Sequence, residues 1–142
     1  MKQPLTRKEF FAIYKKVPRL TVDAVIKSKD GIVLVKRDIE PGKGKWHLPG
    51  GSVFYGEKLE AAVKRKAFEE TGLRVKVKKF LLVHEIPFRH VRRHDVTLVY
   101  LAQPTGGNLR AGKGNRDARF FKKLPRNIGF GHENVLRKIG YK

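Results

Sequence analysis

Gly50-Gly51-Ser52-Val53-Phe54-Tyr55-Gly56-Glu57, continued by Arg65-Lys66-Ala67-Phe68-Glu69-Glu70-Thr71-Gly72-Leu73, is the stretch whose reading decides the fold. Four of the chain's thirteen acidic residues fall between Glu57 and Glu70, although the formal net charge is +20. On a helix, residues 66, 69, 70 and 73 share one stripe, so Glu69 and Glu70 both approach whatever that stripe meets. Adjacent carboxylates repel unless a cation or an arginine lies between them. A hard cation such as Mg²⁺ takes carboxylate, carbonyl and phosphate oxygens. Gly50 and Gly51 bring the backbone close enough for a carbonyl to join. Arg65 is placed to pair with Glu69 at i+4 or with Glu57 from the loop. A salt-bridged, solvated helix would show the same spacing, so spacing alone leaves both readings open.

The rest of the composition narrows the setting. A chain of 142 residues with 40% hydrophobic content suits one domain, 1–142, with a real core. No apolar run approaches the roughly 20 residues that span a bilayer, and the N-terminus does not read as a signal peptide, so a cytoplasmic protein is expected. Cysteine is absent, which excludes disulfides and thiolate chemistry and leaves oxygen and nitrogen as metal ligands. An excess of 33 Lys and Arg over 13 Asp and Glu suits a polyanionic partner, or simply a solvated basic surface.

Local signals order the remaining elements. Thr6-Arg7-Lys8-Glu9 is a capping box opening a helix to about Lys16. Thr21 to Lys27 and Ile32 to Lys36 are β-branched runs joined by a turn at Gly31, a hairpin pattern. Glu57 to Thr71 reads as a helix stopped by Gly72. Leu73 to Val77, Phe80 to Ile86, Asp95 to Ala102 and Ala118 to Phe121 read as strands, and Asn134 to Ile139 as a final helix. A loop holds Gly106, Gly107, Gly112 and Gly114. The expected class is α/β (α+β), an α/β/α sandwich.

The full spacing resembles the signature of the Nudix hydrolases, G-x5-E-x7-R-E-U-x-E-E-x-G-U with U bulky and apolar. Gly51, Glu57, Arg65, Glu69, Glu70, Gly72 and Leu73 fill their places, Ala67 substitutes at the first U, and Trp46-His-Leu-Pro-Gly-Gly51 is similar to the usual approach. The resemblance implies a mixed-sheet sandwich with a loop-helix-loop metal site. It implies a Mg²⁺-dependent enzyme, with Mn²⁺ able to substitute, that cleaves the pyrophosphate of a nucleoside diphosphate linked to another moiety such as ribose or another sugar. Carried over by position, Gly50, Glu69 and Glu70 would hold the metal, and Arg65 would join the two glutamates in the catalytic group. Glu57 would brace Arg65, and Arg37, Gly51 and Lys66 would meet substrate. A homodimer is a further expectation from relatives.

Lys66 departs from the pattern, because a third glutamate belongs there. Three consequences stay open: the ammonium replaces a second metal, the domain mainly binds its ligand, or the general base lies elsewhere. Glu85, His94, Asp117 and His132 are the candidates for that base, each also readable as structural. Trp46 is read as support for the glycine loop rather than as a base-stacking platform. Arg89, His90, Arg92, Arg93 and His94 form the densest basic cluster, either guiding a polyanion such as RNA or lying solvated, and His84, His90 and His94 are too irregular for zinc. The N-terminal pattern is also similar to GDP-mannose mannosyl hydrolases, which cleave at the sugar carbon using a histidine in a late loop. No histidine occurs between Asp95 and Gly131, so that mechanism ranks second.

Overall fold

A computed structural model describes residues 2–86 and 93–142. Helix α1 (Arg7–Tyr14) opens on the Thr6/Glu9 capping box, in which each side chain accepts from the other residue's backbone N–H. Strands β1 (Arg19–Ser28) and β2 (Gly31–Arg37) form the hairpin, with Ser28 opposite Gly31. Short β3 (Trp46–His47) and β4 (Gly50–Ser52) precede α2 (Leu59–Thr71), followed by β5 (Leu73–Ile86), β6 (Asp95–Gly107), β7 (Asn115–Phe121) and α3 (His132–Lys138).

Among the described residues, seven strands form one mixed sheet of order β3-β2-β1-β6-β5, with β4 added on β1 and β7 on β2. Strand β1 is its axis: it runs parallel to β6, with Thr21 opposite Thr97, and antiparallel to β4, with Asp23 opposite Gly50. Two apolar clusters cover the two faces. Val22, Ala24 and Ile26 of β1 pack with Ala62, Val63 and Ala67 of α2, while Val25 packs with Val99 of β6 and with Val135 and Leu136 of α3. The period-2 alternation of a strand therefore puts Thr21 and Asp23 on the α3 face with Val25.

Several boundaries differ from the sequence expectation. Glu57 lies before α2 rather than in it, because its carboxylate is engaged with the loop N–H of Phe54. The two strands expected at 73–77 and 80–86 are one strand, with register shifts between Val77 and Lys79 and between Phe80 and Leu82 absorbing the break. Strand β6 runs through Gly106 and Gly107, so the glycine loop starts later than expected. Helix α3 begins at His132, two residues early, behind Gly131 at φ 72°. Arg89, His90 and Arg92 lie outside the described residues.

Gly72 ends α2 in the left-handed region at φ 75°. A Cβ there would lie 2.8 Å from the Arg110 side chain and press on the Asn108 carbonyl. Gly72→Ala is expected to cost more than about 1–2 kcal/mol in urea unfolding, because left-handed backbone strain and the collision add.

Candidate active site

Arg65 is the hub of the glycine loop and α2. Its Nε donates to Glu57 Oε2 at 2.7 Å, and its Nη2 donates to Glu57 Oε1 at 2.9 Å and to the Ser52 carbonyl at 2.8 Å. The guanidinium also lies 3.8 Å from the Phe54 ring centroid. Glu57 has a second partner in the Phe54 N–H at 3.1 Å. The hydrogen bonds from Arg65 hold the Glu57 carboxyl below its ordinary pKa; burial opposes the Arg65 charge, but Glu57 and Glu69 together outweigh it and raise the guanidinium. A two-pronged, charge-assisted fork of this kind fixes angle as well as distance.

The braced helix presents Glu69 and Glu70 to a cleft. Glu69 remains 43% exposed, and Arg65 Nη1 reaches it at 3.4 Å. Glu70 is half-buried beneath the loop, its side chain 12% exposed, and accepts a long hydrogen bond from the Gly50 N–H at 3.4 Å. Burial pushes its carboxyl up to about 7, against the pull of Lys66. Lys66 lies between the pair, its Nζ 3.1 Å from Glu69 Oε2 and 3.5 Å from Glu70 Oε2. Its methylenes cross Gly51, where a Cβ would come within 2.7 Å of Lys66 Cε. The missing side chain at Gly51 thus makes room for the lysine, a reason other than contact with substrate. Gly50 is equally constrained, since a Cβ there would strike the Asp23 carboxylate.

This donor set fits a divalent cation in part. Two carboxylates converge as the spacing predicts, and Glu70 has a carboxylate oxygen with no closer partner than 3.4 Å. At position 66, where the signature has a third glutamate, an ammonium already touches both Glu69 and Glu70. Among the described residues, no group of three His, Asp or Glu side chains has metal-holding geometry.

The cleft has two parts that share Arg19, Arg37, Gly50, Gly51, Glu70 and Arg93 in their walls. The outer part, about 840 Å³, is bounded by Lys66, Arg110 and Lys113. The inner part, about 90 Å³, reaches the α3 face of the sheet. There the β1/β6 register creates paired side chains: Arg19 grips Asp95 through two 2.8 Å bonds, and Thr21 and Thr97 share a hydrogen bond. Burial raises Asp95, but Arg19 and Arg93 together outweigh it and leave the carboxyl below its ordinary value. Arg37 donates Nε to the Pro41 carbonyl and lies over the Phe130 ring at 5.3 Å.

His132 enters the inner part from the start of α3. Its Nδ1 accepts from the Leu48 N–H at 2.9 Å, which assigns the ring proton to Nε2. That nitrogen is 2.9 Å from Asp23 Oδ2, yet off the line of a good hydrogen bond, so both buried atoms keep unspent bonding capacity. His47 is buried beside it, with Nδ1 against the Leu48 carbonyl at 2.8 Å, and burial followed by the nearby His132 lowers its pKa to about 4.

Of the four sequence candidates for a base, the cleft includes only His132. Glu85 and His94 face each other at 3.3 Å, and Asp117 pairs with Arg119 at 2.9 Å, all outside its walls. Trp46 is buried against Phe121 at 4.8 Å, away from any stacking role. Sequence reasoning passed over Arg19, Asp23 and His47. A usable signal existed for Asp23, a lone carboxylate inside the apolar run Leu20-Thr-Val-Asp-Ala-Val-Ile26, where charge is costly.

Two outcomes follow from this geometry. Arg65→Ala leaves the half-buried Glu57 carboxylate without its partner and should cost about 1–3 kcal/mol in denaturant unfolding. In EDTA, Glu70 and His47 act in opposite directions. The raised Glu70 pKa makes stability fall as pH rises from 4.5 through about 7, while the lowered His47 pKa makes stability fall as pH drops from 6.5 toward about 4. Glu70→Gln removes the first effect, so its stability advantage over the unsubstituted chain should grow from near zero at pH 4 to about 3 kcal/mol at pH 8. Parallel pH–stability curves would contradict this account.

Comparison with known proteins agrees with the geometry. The NUDIX domain profile matches residues 17–124. An ADP-ribose pyrophosphatase of Methanocaldococcus jannaschii is 41% identical over 122 residues, covering 84% of this chain and 72% of that protein. The crystal structure of a MutT NUDIX hydrolase from Burkholderia pseudomallei superposes with a TM-score of 0.80 at 30% identity, covering 87% of this chain and 99% of that one. The NUDIX domain of Shewanella oneidensis NrtR, solved with ADP ribose, superposes with a TM-score of 0.70 at 26% identity over 95% of this chain and 97% of that one. With the mixed sheet, the braced α2 and the matched motif in place, this chain belongs to the Nudix family and is a Nudix hydrolase.

Proposed function

We propose that this chain hydrolyses the pyrophosphate of a nucleoside diphosphate linked to a sugar, with ADP-ribose as the first substrate to test. The observation that carries this reading is the Glu57–Arg65 brace presenting Glu69 and Glu70 to a cleft walled by Arg19, Arg37, Lys66 and Arg93. The 41% identity to an ADP-ribose pyrophosphatase supports the choice of substrate.

In this reading, the guanidiniums of Arg19, Arg37 and Arg93 and the ammonium of Lys66 attract the diphosphate and offset its charge as it approaches two carboxylates. The outer cleft has room for the nucleoside, and the inner part admits a smaller polar group. Glu69, Glu70 and the Gly50 carbonyl would hold one Mg²⁺ or Mn²⁺, which would polarise the phosphoryl oxygens and the attacking water. Arg65 acts by fixing the angle at which α2 delivers Glu69 and Glu70.

A second reading, cleavage at the sugar carbon, is favoured by one observation: His132, a late histidine, lines the inner cleft beside Asp23. Hydrolysis in ¹⁸O-water separates the two readings. Label in a phosphate product supports the first, and label only in the sugar hydroxyl overturns it. Glu70→Gln should lower Mg²⁺-dependent turnover of ADP-ribose by at least about 100-fold. Unchanged turnover would remove Glu70 from the metal site.

A further inference from the structure

We propose that Lys66 is a built-in cation: its ammonium occupies, against Glu69 and Glu70, a place that a divalent ion would otherwise fill. The chain therefore holds one divalent ion fewer than the same site with a carboxylate at position 66. This rests on the reading of Glu69 and Glu70 as metal ligands, and it adds a statement about stoichiometry that the reading alone does not contain.

Three observations carry it. The ammonium is within 3.1 Å of one carboxylate and 3.5 Å of the other, so it bridges both. Its position is built rather than incidental, because the side chain is only 19% exposed and crosses the loop where Gly51 offers no Cβ. Helical geometry also constrains it, since residues 66, 69 and 70 stand at i, i+3 and i+4 and project to one side. Glu69 and Glu70 would also be the ligands of a divalent ion, which takes carboxylate oxygens. The ammonium would then be a like charge close to that ion and would weaken its binding. The site thus carries one fixed monovalent charge beside the place for an exchangeable ion.

A consequence concerns the metal-free state. Two converging carboxylates ordinarily repel until metal binds. Here Lys66 neutralises part of that repulsion, so the loop and α2 are held together before any ion arrives.

The test counts ions and melts the protein, independently of turnover. Mn²⁺ binding to the full chain is measured by the loss of the free-ion electron paramagnetic resonance signal, for the unsubstituted protein, Lys66→Arg, Lys66→Met and Lys66→Glu. The unsubstituted chain and Lys66→Arg should bind one Mn²⁺. Lys66→Glu should bind two. Lys66→Met, which keeps the aliphatic body over Gly51 without the charge, should bind its ion about tenfold or more tightly. In EDTA, Lys66→Met should melt about 2–4 °C below the unsubstituted chain and recover on adding Mg²⁺, whose effect on the unsubstituted chain should be smaller. Equal stoichiometry and affinity in all four proteins, or two ions in the unsubstituted chain, would overturn the proposal. If Lys66→Met fails to fold, Lys66→Arg against Lys66→Glu still decides. Failure of the chain to cleave ADP-ribose while the ion counts hold would defeat the functional reading and leave this one standing. Cleavage that requires two ions in the unsubstituted chain would do the reverse.

Discussion

The ion pair between Arg65 and Glu57 is the constraint on which the site depends. One guanidinium closes a ring from the helix to the loop, through both oxygens of Glu57, the Ser52 carbonyl and the face of Phe54. Because both charged groups are largely buried, neither can leave without stranding the other. The position of Glu69 and Glu70 relative to Gly50 follows from this closure, as helix α2 has no side-chain cap at Lys58 to set its start. In a strongly basic chain, this is how acidic residues are held at one place rather than scattered over the surface.

Strand β1 does the corresponding work on the other side. It carries Asp23 and Thr21 on one face and the α2-facing core on the other, and it pairs with both β4 and β6. The glycine loop and the polar inner cleft are therefore referenced to one strand. Register, more than any individual contact, brings Arg19 to Asp95 and Thr21 to Thr97, and a slip of one residue would turn all of them to the opposite face. The resulting cleft combines a cationic rim with a buried acid–histidine pair, a mixture suited to a ligand that is anionic in its middle and hydroxylated at one end.

Lys66 gives this site its individual character. A lysine in the middle of an otherwise matching motif reads from sequence as a departure with several possible consequences. In three dimensions it is a partner, placed against both carboxylates and accommodated by Gly51. The same contact moderates the burial penalty on Glu70, whose carboxyl nonetheless stays up at about 7. Electrostatic compensation of this sort explains how two adjacent acids persist with one of them almost removed from water.

Much of this was legible in the chain alone, because short-range rules govern it. The capping box at Thr6, the hairpin at Gly31, the helix stop at Gly72 and the i, i+3, i+4 stripe of residues 66, 69 and 70 each depend on neighbours a few positions away. The motif spacing likewise indicated the family, since the loop and helix that it spans are contiguous. What only the tertiary structure decided is the meeting of residues far apart in sequence. His132 joins Asp23 and Leu48, and Arg19 joins Asp95, through strand register and the docking of α3, which no local pattern encodes. The continuity of β5 across Lys78 was decided the same way, since β6 supplies the hydrogen bonds that carry the strand over its irregularities. Sequence specified which groups were available and which helix face they shared; long-range packing determined which of them face one another and at what distance.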